Sequence, residues 1–565
     1  MSDKSTPPPV HINREEVDLL VIGSGTGLAT ALAATERGLD VAIAEKTAYV
    51  GGSTARSGGA IWIPANPVLQ ESGAGDDLER AAEYLSGLVG DSARWRSFLE
   101  YGGEAVRMLM RMTDLRFFWV KGYADYHPET PGGSARGRSV ESRPFDLASL
   151  GDARRLLRPG VMEAPFPMPV TGADYKWLNL VARTPLRALP RALGRLVQGL
   201  GGAALRREYA AGGQALAGGL FAGALRVGIP IWTQASLVRL IREDERVTGA
   251  VLLQNGAEHI VRARRGVVLA TGGFDHALEL RRERQLASLT TDLSLGAEGN
   301  TGDGIRIGQE AGAAVAQMDQ AWWFPAVAPL GDGKQPAVLL AERSLPGSFI
   351  VDASGERFVN ESTGYMVFGQ EVQRRERAGD PVGDMWLIFD QRYRDGYLFA
   401  GAIAPRAPLP ESWYRAGIAH RAATPQGLAE AIGLPVRTFQ NTLSRFNAGA
   451  RSGIDSDFGR GNSAYDRYYG DPTQSPNPNL RALEGKAYYA VRLVLSDLGT
   501  CGGIQTDDRG RVLTPDGEVV PGLFAQGNTA ANVFGQVYPG AGATIGQGIV
   551  FGTIIAETAA RPEAV

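Results

Sequence analysis

Short apolar runs that stop at glycine recur along the chain and set out its first order. Val17-Asp18-Leu19-Leu20-Val21-Ile22 runs into Gly23-Ser24-Gly25-Thr26-Gly27, the alanine-rich stretch Leu28 to Arg37 stops at Gly38, and Asp40 to Glu45 is apolar again. A continuous apolar run predicts a strand buried on both faces, and a glycine such as Gly38 ends a helix, so this segment reads as a β-α-β unit. Arg265 to Ala270 repeats the pattern at Thr271-Gly272-Gly273-Phe274 and is expected in the same sheet; Leu523 to Asn528 repeats it once more. From Trp232 to Ala263 the pattern changes to short alternating strands. Polar turns at Glu243-Asp244-Glu245-Arg246 and Gln254-Asn255-Gly256 separate them, which predicts an antiparallel meander. Residues 290 to 484 mix helices, aromatics and Pro-rich loops, so an inserted α+β unit (290–484) is expected inside an α/β domain made of 1–289 and 485–565.

Composition narrows the chemistry. A chain of 565 residues, 44% hydrophobic, can bury a large core, and a net charge of -3 gives no excess that would recruit nucleic acid. Cys501 is the single cysteine, which excludes an internal disulfide, a thiolate iron–sulfur cluster and dithiol redox chemistry. Histidines at 11, 127, 259, 276 and 420 lack metal-ligand spacing, so no metal is assigned. Met1 to Val10 is polar and then Pro-rich, without a secretory pattern, and no run of about 18 apolar residues lacks a charge. A cytoplasmic protein is expected, with any membrane contact peripheral and at the inner face.

The glycine turn carries the first specific chemistry. Gly23, Ser24, Gly25 and Gly27 at a helix start let backbone N–H groups approach a pyrophosphate, and Glu45, closing the next strand, can accept from an adenosine ribose. Leu28 stands where the strict dinucleotide fingerprint has its third glycine. Gly51-Gly52-Ser53-Thr54-Ala55-Arg56-Ser57-Gly58-Gly59 suits wrapping phosphate and flavin edges. Glu298-Gly299-Asn300-Thr301-Gly302-Asp303-Gly304 and Gly540-Ala541-Gly542-Ala543-Thr544-Ile545-Gly546 each precede a helix, giving further N-termini for a flavin.

Glu45-Lys46, Gly51 to Gly59 with Ala60-Ile61-Trp62, Gly299 to Gly304 and Tyr538-Pro539-Gly540 together resemble the 3-ketosteroid Δ1-dehydrogenases, fumarate-reductase-like flavoproteins, over almost the whole chain. The resemblance implies a Rossmann-type domain with non-covalent FAD, built from both chain ends around a catalytic domain. It places Lys46, Gly52, Ser53, Ser57, Gly58, Gly59, Ala270, Gly272, Gly273, Asn300, Asp303, Gly527, Asn528, Ala543 and Ile545 with the glycine turn and Glu45 around that cofactor. No second dinucleotide turn is evident, so a quinone or artificial dye, rather than NAD, is the expected electron acceptor.

In that family a double bond is set between C1 and C2 of the steroid A-ring by loss of a C2 proton and a C1 hydride. By resemblance Tyr365 is the proton-abstracting phenol, Tyr126 supports it, and Tyr538 with the Gly542 N–H forms the site for the C3 oxygen. Tyr123 is an alternative position for that supporting tyrosine, and neighbouring His127 is a candidate proton relay. Trp322, Trp323 and Phe324 with Phe368 suit the wall of a flat apolar pocket or, equally, a core. Other readings share parts of the pattern: a fumarate-type alkene reductase, a Δ4-(5α)-3-ketosteroid dehydrogenase, and a sterol-binding flavoprotein without activity.

One stretch stands outside this scheme. Within 151–210, between Arg154 and Arg207, ten Lys or Arg residues face only Glu163 and Asp174, and Arg183, Arg187, Arg191 and Arg195 recur every four residues among leucines. The spacing predicts a basic edge on an amphipathic helix interrupted by Pro185 and Pro190, either resting on an anionic membrane or packed on the enzyme body.

Overall fold

In the computed structural model, which describes residues 6–161, 167–331 and 334–561, the apolar runs stand side by side in a sheet of eight strands. Its parallel centre runs Val519–Ala525, Ala257–Leu269, Glu16–Ile22, Val41–Ala44, Ile231–Trp232. Both faces are covered. The helices Gly27–Glu36 and Ala543–Ala560 pack on the side of Leu19, Val21 and Ile43, and the meander covers Leu20, Ile22 and Ala42. Gly23 is obligatory where two strand ends converge: its φ is +107°, and a Cβ there would lie 2.1 Å from the Ala270 carbonyl oxygen. Leu28, in place of the third glycine, is buried in the helix–sheet core.

The third meander strand and the run Arg265–Ala270, expected as two elements, are one strand, Ala257–Leu269. Its first part pairs antiparallel with Arg246–Gln254, and its second part pairs parallel with Glu16–Ile22 and Val519–Ala525. A bulge permits the change of partner: pairing jumps from Val17↔Ala263 to Leu19↔Gly266, and Gly266 has φ +127°.

A second, antiparallel sheet of six strands forms the other unit. Ala321–Val327, Tyr488–Thr500, Met385–Asp390 and Ser348–Val351 lie side by side, with Ala337–Val338 on one edge. Tyr488–Thr500, which a division at 484/485 puts with the cofactor domain, pairs from end to end within this second sheet.

Pro185–Ala204 is one unbroken helix, so the two prolines do not interrupt it. Pro185 occupies the first position, where its missing N–H has no intrahelical acceptor, and Pro190 frees only the carbonyl of Leu186, a residue 92% exposed. The arginines border the protein body while staying partly exposed. Arg187 and Arg191 stack on Trp177 at 5.1 and 5.2 Å, Arg195 pairs with Asp174 at 2.7 Å, and Arg183 pairs with Asp471 at 2.8 Å. The leucines face outward: Leu186, Leu189, Leu193, Val197 and Leu200 are 52–92% exposed. Glu163 lies outside the described residues.

Candidate active site

Beyond the carboxyl ends of the parallel strands lies a cavity of about 1260 Å³, the position the switch in strand order makes available. Gly23, Ser24 and Gly25 line it, beside a helix start whose N–H groups no side chain caps, a place suited to an anion. Gly27 is set back from the cavity. A Cβ there would lie 2.9 Å from Val21 Cγ1, so this glycine serves close packing of helix on strand.

Glu45 is fixed at the cavity wall by four donors: Ser24 Oγ (2.6 Å), Ser24 N (3.1 Å), Thr47 Oγ1 (2.7 Å) and Thr47 N (2.9 Å). Gly52, Ser53, Ser57, Gly58 and Gly59 continue the wall. They are tied to the 297–303 loop, because Ser53 Oγ accepts from Ala297 N and Asn300 Nδ2, both at 2.9 Å. Lys46 Nζ reaches Thr301 Oγ1 at 2.7 Å and Asp303 Oδ2 at 2.6 Å. Ala270, Gly272, Asn300, Asp303, Gly527, Asn528 and Ile545 also line the cavity. Gly273 and Ala543 do not: Gly273 presses on Thr500 Oγ1, and Ala543 is buried as the first residue of the closing helix, which likewise lacks a side-chain cap. Two uncapped helix starts and a fixed carboxylate on one cavity form a donor and acceptor set that fits the pyrophosphate and ribose of FAD.

At the other end three phenols meet. The rings of Tyr126 and Tyr365 are 5.3 Å apart, Tyr126 and Tyr538 5.2 Å, and Tyr365 and Tyr538 5.4 Å, with Trp322 4.8 Å from Tyr538. Three distant stretches deliver them. Tyr365 opens the helix Tyr365–Arg377. Tyr126 N donates to Pro539 O at 3.0 Å, and Tyr84 OH donates to the same carbonyl at 2.7 Å, joining the loops at 124–127 and 538–542. Ser139 Oγ holds Ala541 O at 2.8 Å. Gly542 N donates to Tyr538 OH at 3.3 Å. Gly542 has φ +93°, and a Cβ there would lie 2.1 Å from Ala60 O, so only glycine presents this N–H.

Burial raises the Tyr365 and Tyr126 phenols well above the ordinary tyrosine value; neighbouring Tyr538 adds to the rise at Tyr365 and Tyr123 to that at Tyr126. Burial also raises Tyr538, where hydrogen bonds with Tyr365 and the Gly542 N–H oppose the rise. Tyr123 stands behind Tyr126: its hydroxyl is 3.5 Å from that of Tyr126 and accepts from Tyr469 OH at 3.2 Å. His127 does not line the cavity.

Trp322 and Phe324 line the cavity, as the pocket reading expects, but Phe368 does not. It is fully buried, 5.5 Å from Phe358, one turn deeper than Tyr365 where the helix presses on the second sheet. Sequence reasoning missed several cavity residues. Glu141 is 3% exposed, and burial pushes its carboxyl up to about 7 against the opposing Ala173 and Gly172 N–H groups. Tyr175, Tyr469 and the apolar Met168, Val170, Leu178 and Val181 also line it. A single glutamate in Ser-Val-Glu-Ser carries no spacing that would mark it.

Comparison with known proteins agrees with this geometry. The sequence profile of the FAD binding domain family matches residues 18–545. A 3-oxosteroid 1-dehydrogenase of Mycolicibacterium smegmatis is 42% identical over 560 residues, 97% of each chain. The solved 3-ketosteroid delta1-dehydrogenase from Sterolibacterium denitrificans, in complex with 1,4-androstadiene-3,17-dione, superposes with a TM-score of 0.88 at 33% identity, covering 97% of this chain and 99% of that one. A flavocytochrome c3 fumarate reductase shares the fold, with a TM-score of 0.61 at 21% identity over 97% of this chain and 78% of its own. With the uncapped helix starts, Glu45 and the tyrosine triangle all on one cavity, the chain belongs to the FAD-binding domain family and, within it, to the 3-oxosteroid 1-dehydrogenases.

Proposed function

We propose that this chain desaturates the C1–C2 bond of the A-ring of 3-ketosteroids or sterol-derived 3-ketones. The observation that carries the reading is the triangle of Tyr126, Tyr365 and Tyr538 closed by the Gly542 N–H. A C2 proton beside a ketone is weakly acidic, so its removal needs a base together with donors on the C3 oxygen, where charge develops. Tyr538 OH and Gly542 N–H are the donors, and Tyr365 takes the proton, with Tyr126 against its ring. Trp322 and Phe324 hold the flat ring system. Gly23, Ser24, Gly25, Glu45, Ser53, Asn300, Asn528 and Ile545 hold FAD, which when bound accepts the hydride leaving C1. A quinone or a dye reoxidises the enzyme. An anaerobic 4-ene-3-ketosteroid is expected to bleach the bound flavin and yield the 1,4-diene-3-one, and Tyr365→Phe to keep FAD but lose bleaching. Near-normal bleaching in Tyr365→Phe overturns the assignment of the base.

The outward leucine row supports a second element of the reading, that Pro185–Ala204 rests on an anionic membrane. Lys176, Arg187 and Arg191 gather around Trp177 and Tyr468 with no carboxylate at ion-pair distance among the described residues. The same insertion supplies Met168, Val170, Leu178 and Val181 to the cavity wall, so a sterol leaving the bilayer would meet apolar side chains there.

A further inference from the structure

Arg343 is 1% exposed, on the short turn Glu342–Ser344. Buried guanidinium groups ordinarily sit against carboxylates, because an uncompensated charge is strongly disfavoured away from water. Two neighbouring arginines follow that rule. Arg357 pairs with Glu361 at 2.7 Å and Asp455 at 2.8 Å, and Arg460 pairs with Glu361 at 3.2 Å. Arg343 does not: among the described residues no carboxylate lies at ion-pair distance from it, and its Nε has no hydrogen-bond partner. Its neighbour Glu342 turns away, accepting from Tyr175 OH at 3.0 Å and Gly401 N at 3.4 Å.

What Arg343 does hold is the approach to the tyrosines. Nη1 donates to Glu361 O and, at 2.7 Å, to Thr363 O, two residues before Tyr365. On another side stands Tyr465, whose ring is 4.5 Å from that of Tyr126. Burial raises the Tyr465 phenol, and the charge of Arg343 and hydrogen bonds with Tyr126 and Arg343 oppose that rise. The other charged groups facing this corner are Asp466, which accepts from Asn360 Nδ2 at 2.9 Å and Gly461 N at 2.8 Å, and the paired Glu361 and Arg460.

We propose that Arg343 is a positioning residue whose positive charge, held without a carboxylate at ion-pair distance, acts through Tyr465 and the 361–364 loop to favour ionisation of the Tyr126–Tyr365 pair during proton abstraction. In this account the C2 proton passes to the phenolic oxygen of Tyr365, and the positive charge of Arg343 lowers the energy of the phenolate from which that transfer starts.

The inference rests on the function proposed above and is tested with the FAD-bound enzyme, by the pH dependence of anaerobic flavin reduction with 4-androstene-3,17-dione. Arg343→Gln keeps a donor for the two carbonyls but removes the charge; Arg343→Lys keeps both. The alkaline rise of the reduction rate is expected to move up by about one pH unit in Arg343→Gln, the shift due to one charge roughly 12 Å away at an effective dielectric of about 20. Arg343→Lys is expected to restore the wild-type profile. Tyr465→Phe, which leaves the loop and its carbonyl contacts untouched, is expected to shift the profile the same way by a smaller amount, and it serves as the test should Arg343→Gln fail to retain FAD. Unmoved profiles in Arg343→Gln and Tyr465→Phe, or equal shifts in Arg343→Gln and Arg343→Lys, overturn the inference. Absence of flavin reduction in the wild-type enzyme overturns instead the steroid reading on which it stands.

Discussion

Replacing Tyr538 with Phe separates the chemistry proposed for Tyr538 and Gly542 from their packing. The ring would remain against Tyr126, Tyr365 and Trp322 at 5.2, 5.4 and 4.8 Å. Only the hydroxyl goes, and with it the bond from Gly542 N at 3.3 Å. A single neutral hydrogen bond of that kind contributes about 1 kcal/mol to folding. Loss of one of two donors at a developing oxyanion raises the barrier by about 2.7–4 kcal/mol, a fall of about 100- to 1000-fold in rate. The two magnitudes differ enough to be told apart. Stopped-flow reduction of the flavin by anaerobic 3-ketosteroid should slow by at least about 100-fold, while the ratio of FAD to protein stays at the wild-type value and the urea midpoint moves little. A rate within about threefold of wild type would mean that Gly542 alone, or another group, carries the charge, since threefold corresponds to well under 1 kcal/mol.

Other outcomes follow from particular side chains. Burial raises the Glu141 carboxyl to about 7, so its contribution to stability is complete below the unfolded value near 4.5 and is lost as pH rises through about 7; Glu141→Gln should therefore match wild type near pH 4 and be more stable by up to roughly 3 kcal/mol near pH 8, read from denaturant midpoints. Glu45→Ala should release FAD at concentrations where wild type retains it, seen as loss of yellow colour on gel filtration; full retention would remove Glu45 from the cofactor site. Phe368→Ala should lower stability by about 3–5 kcal/mol while leaving KM for steroid nearly unchanged, because the ring lies in the core and not on the cavity. Leu186→Ser with Leu193→Ser should abolish sedimentation with anionic liposomes without altering turnover of a short-chain steroid; undiminished sedimentation argues against the membrane reading.

The two kinds of element differed in how clearly the sequence announced them. The parallel strands were legible because burial on both faces leaves an uninterrupted apolar run, and the glycine turn because only glycine allows strand ends to converge as Gly23 and Ala270 do. The join between the meander and the run Arg265–Ala270 was not legible, since a bulge at Gly266 looks in sequence like the end of one strand and the start of another. Periodicity at Arg183 to Arg195 defined two faces of a helix but not which face turns inward; Trp177, Asp174 and Asp471, distant or unrelated in pattern, decide that. The tyrosines at 126, 365 and 538 came from family resemblance, as nothing in their spacing distinguishes them from the other phenols. Arg343 gave no signal at all, because the lack of a carboxylate at ion-pair distance is a property of three dimensions.

The pairing of Val519–Ala525 with Ala257–Leu269 also bears on how the chain is made. During synthesis the first strands, the meander and the long strand leave the ribosome with one side of the parallel sheet open. Its missing neighbour follows some 250 residues later, roughly 10–50 s at ordinary elongation rates. Until then that edge offers unpaired N–H and C=O groups to any other strand, including one from a second nascent chain. Tyr538 and Gly542 emerge later still, so a chain arrested before them would display most of the glycine loops that line the cavity while lacking the closed tyrosine triangle. Chaperone occupancy is therefore expected to peak on nascent chains between about 270 and 520 residues long, the interval in which the sheet waits for its last parallel strand.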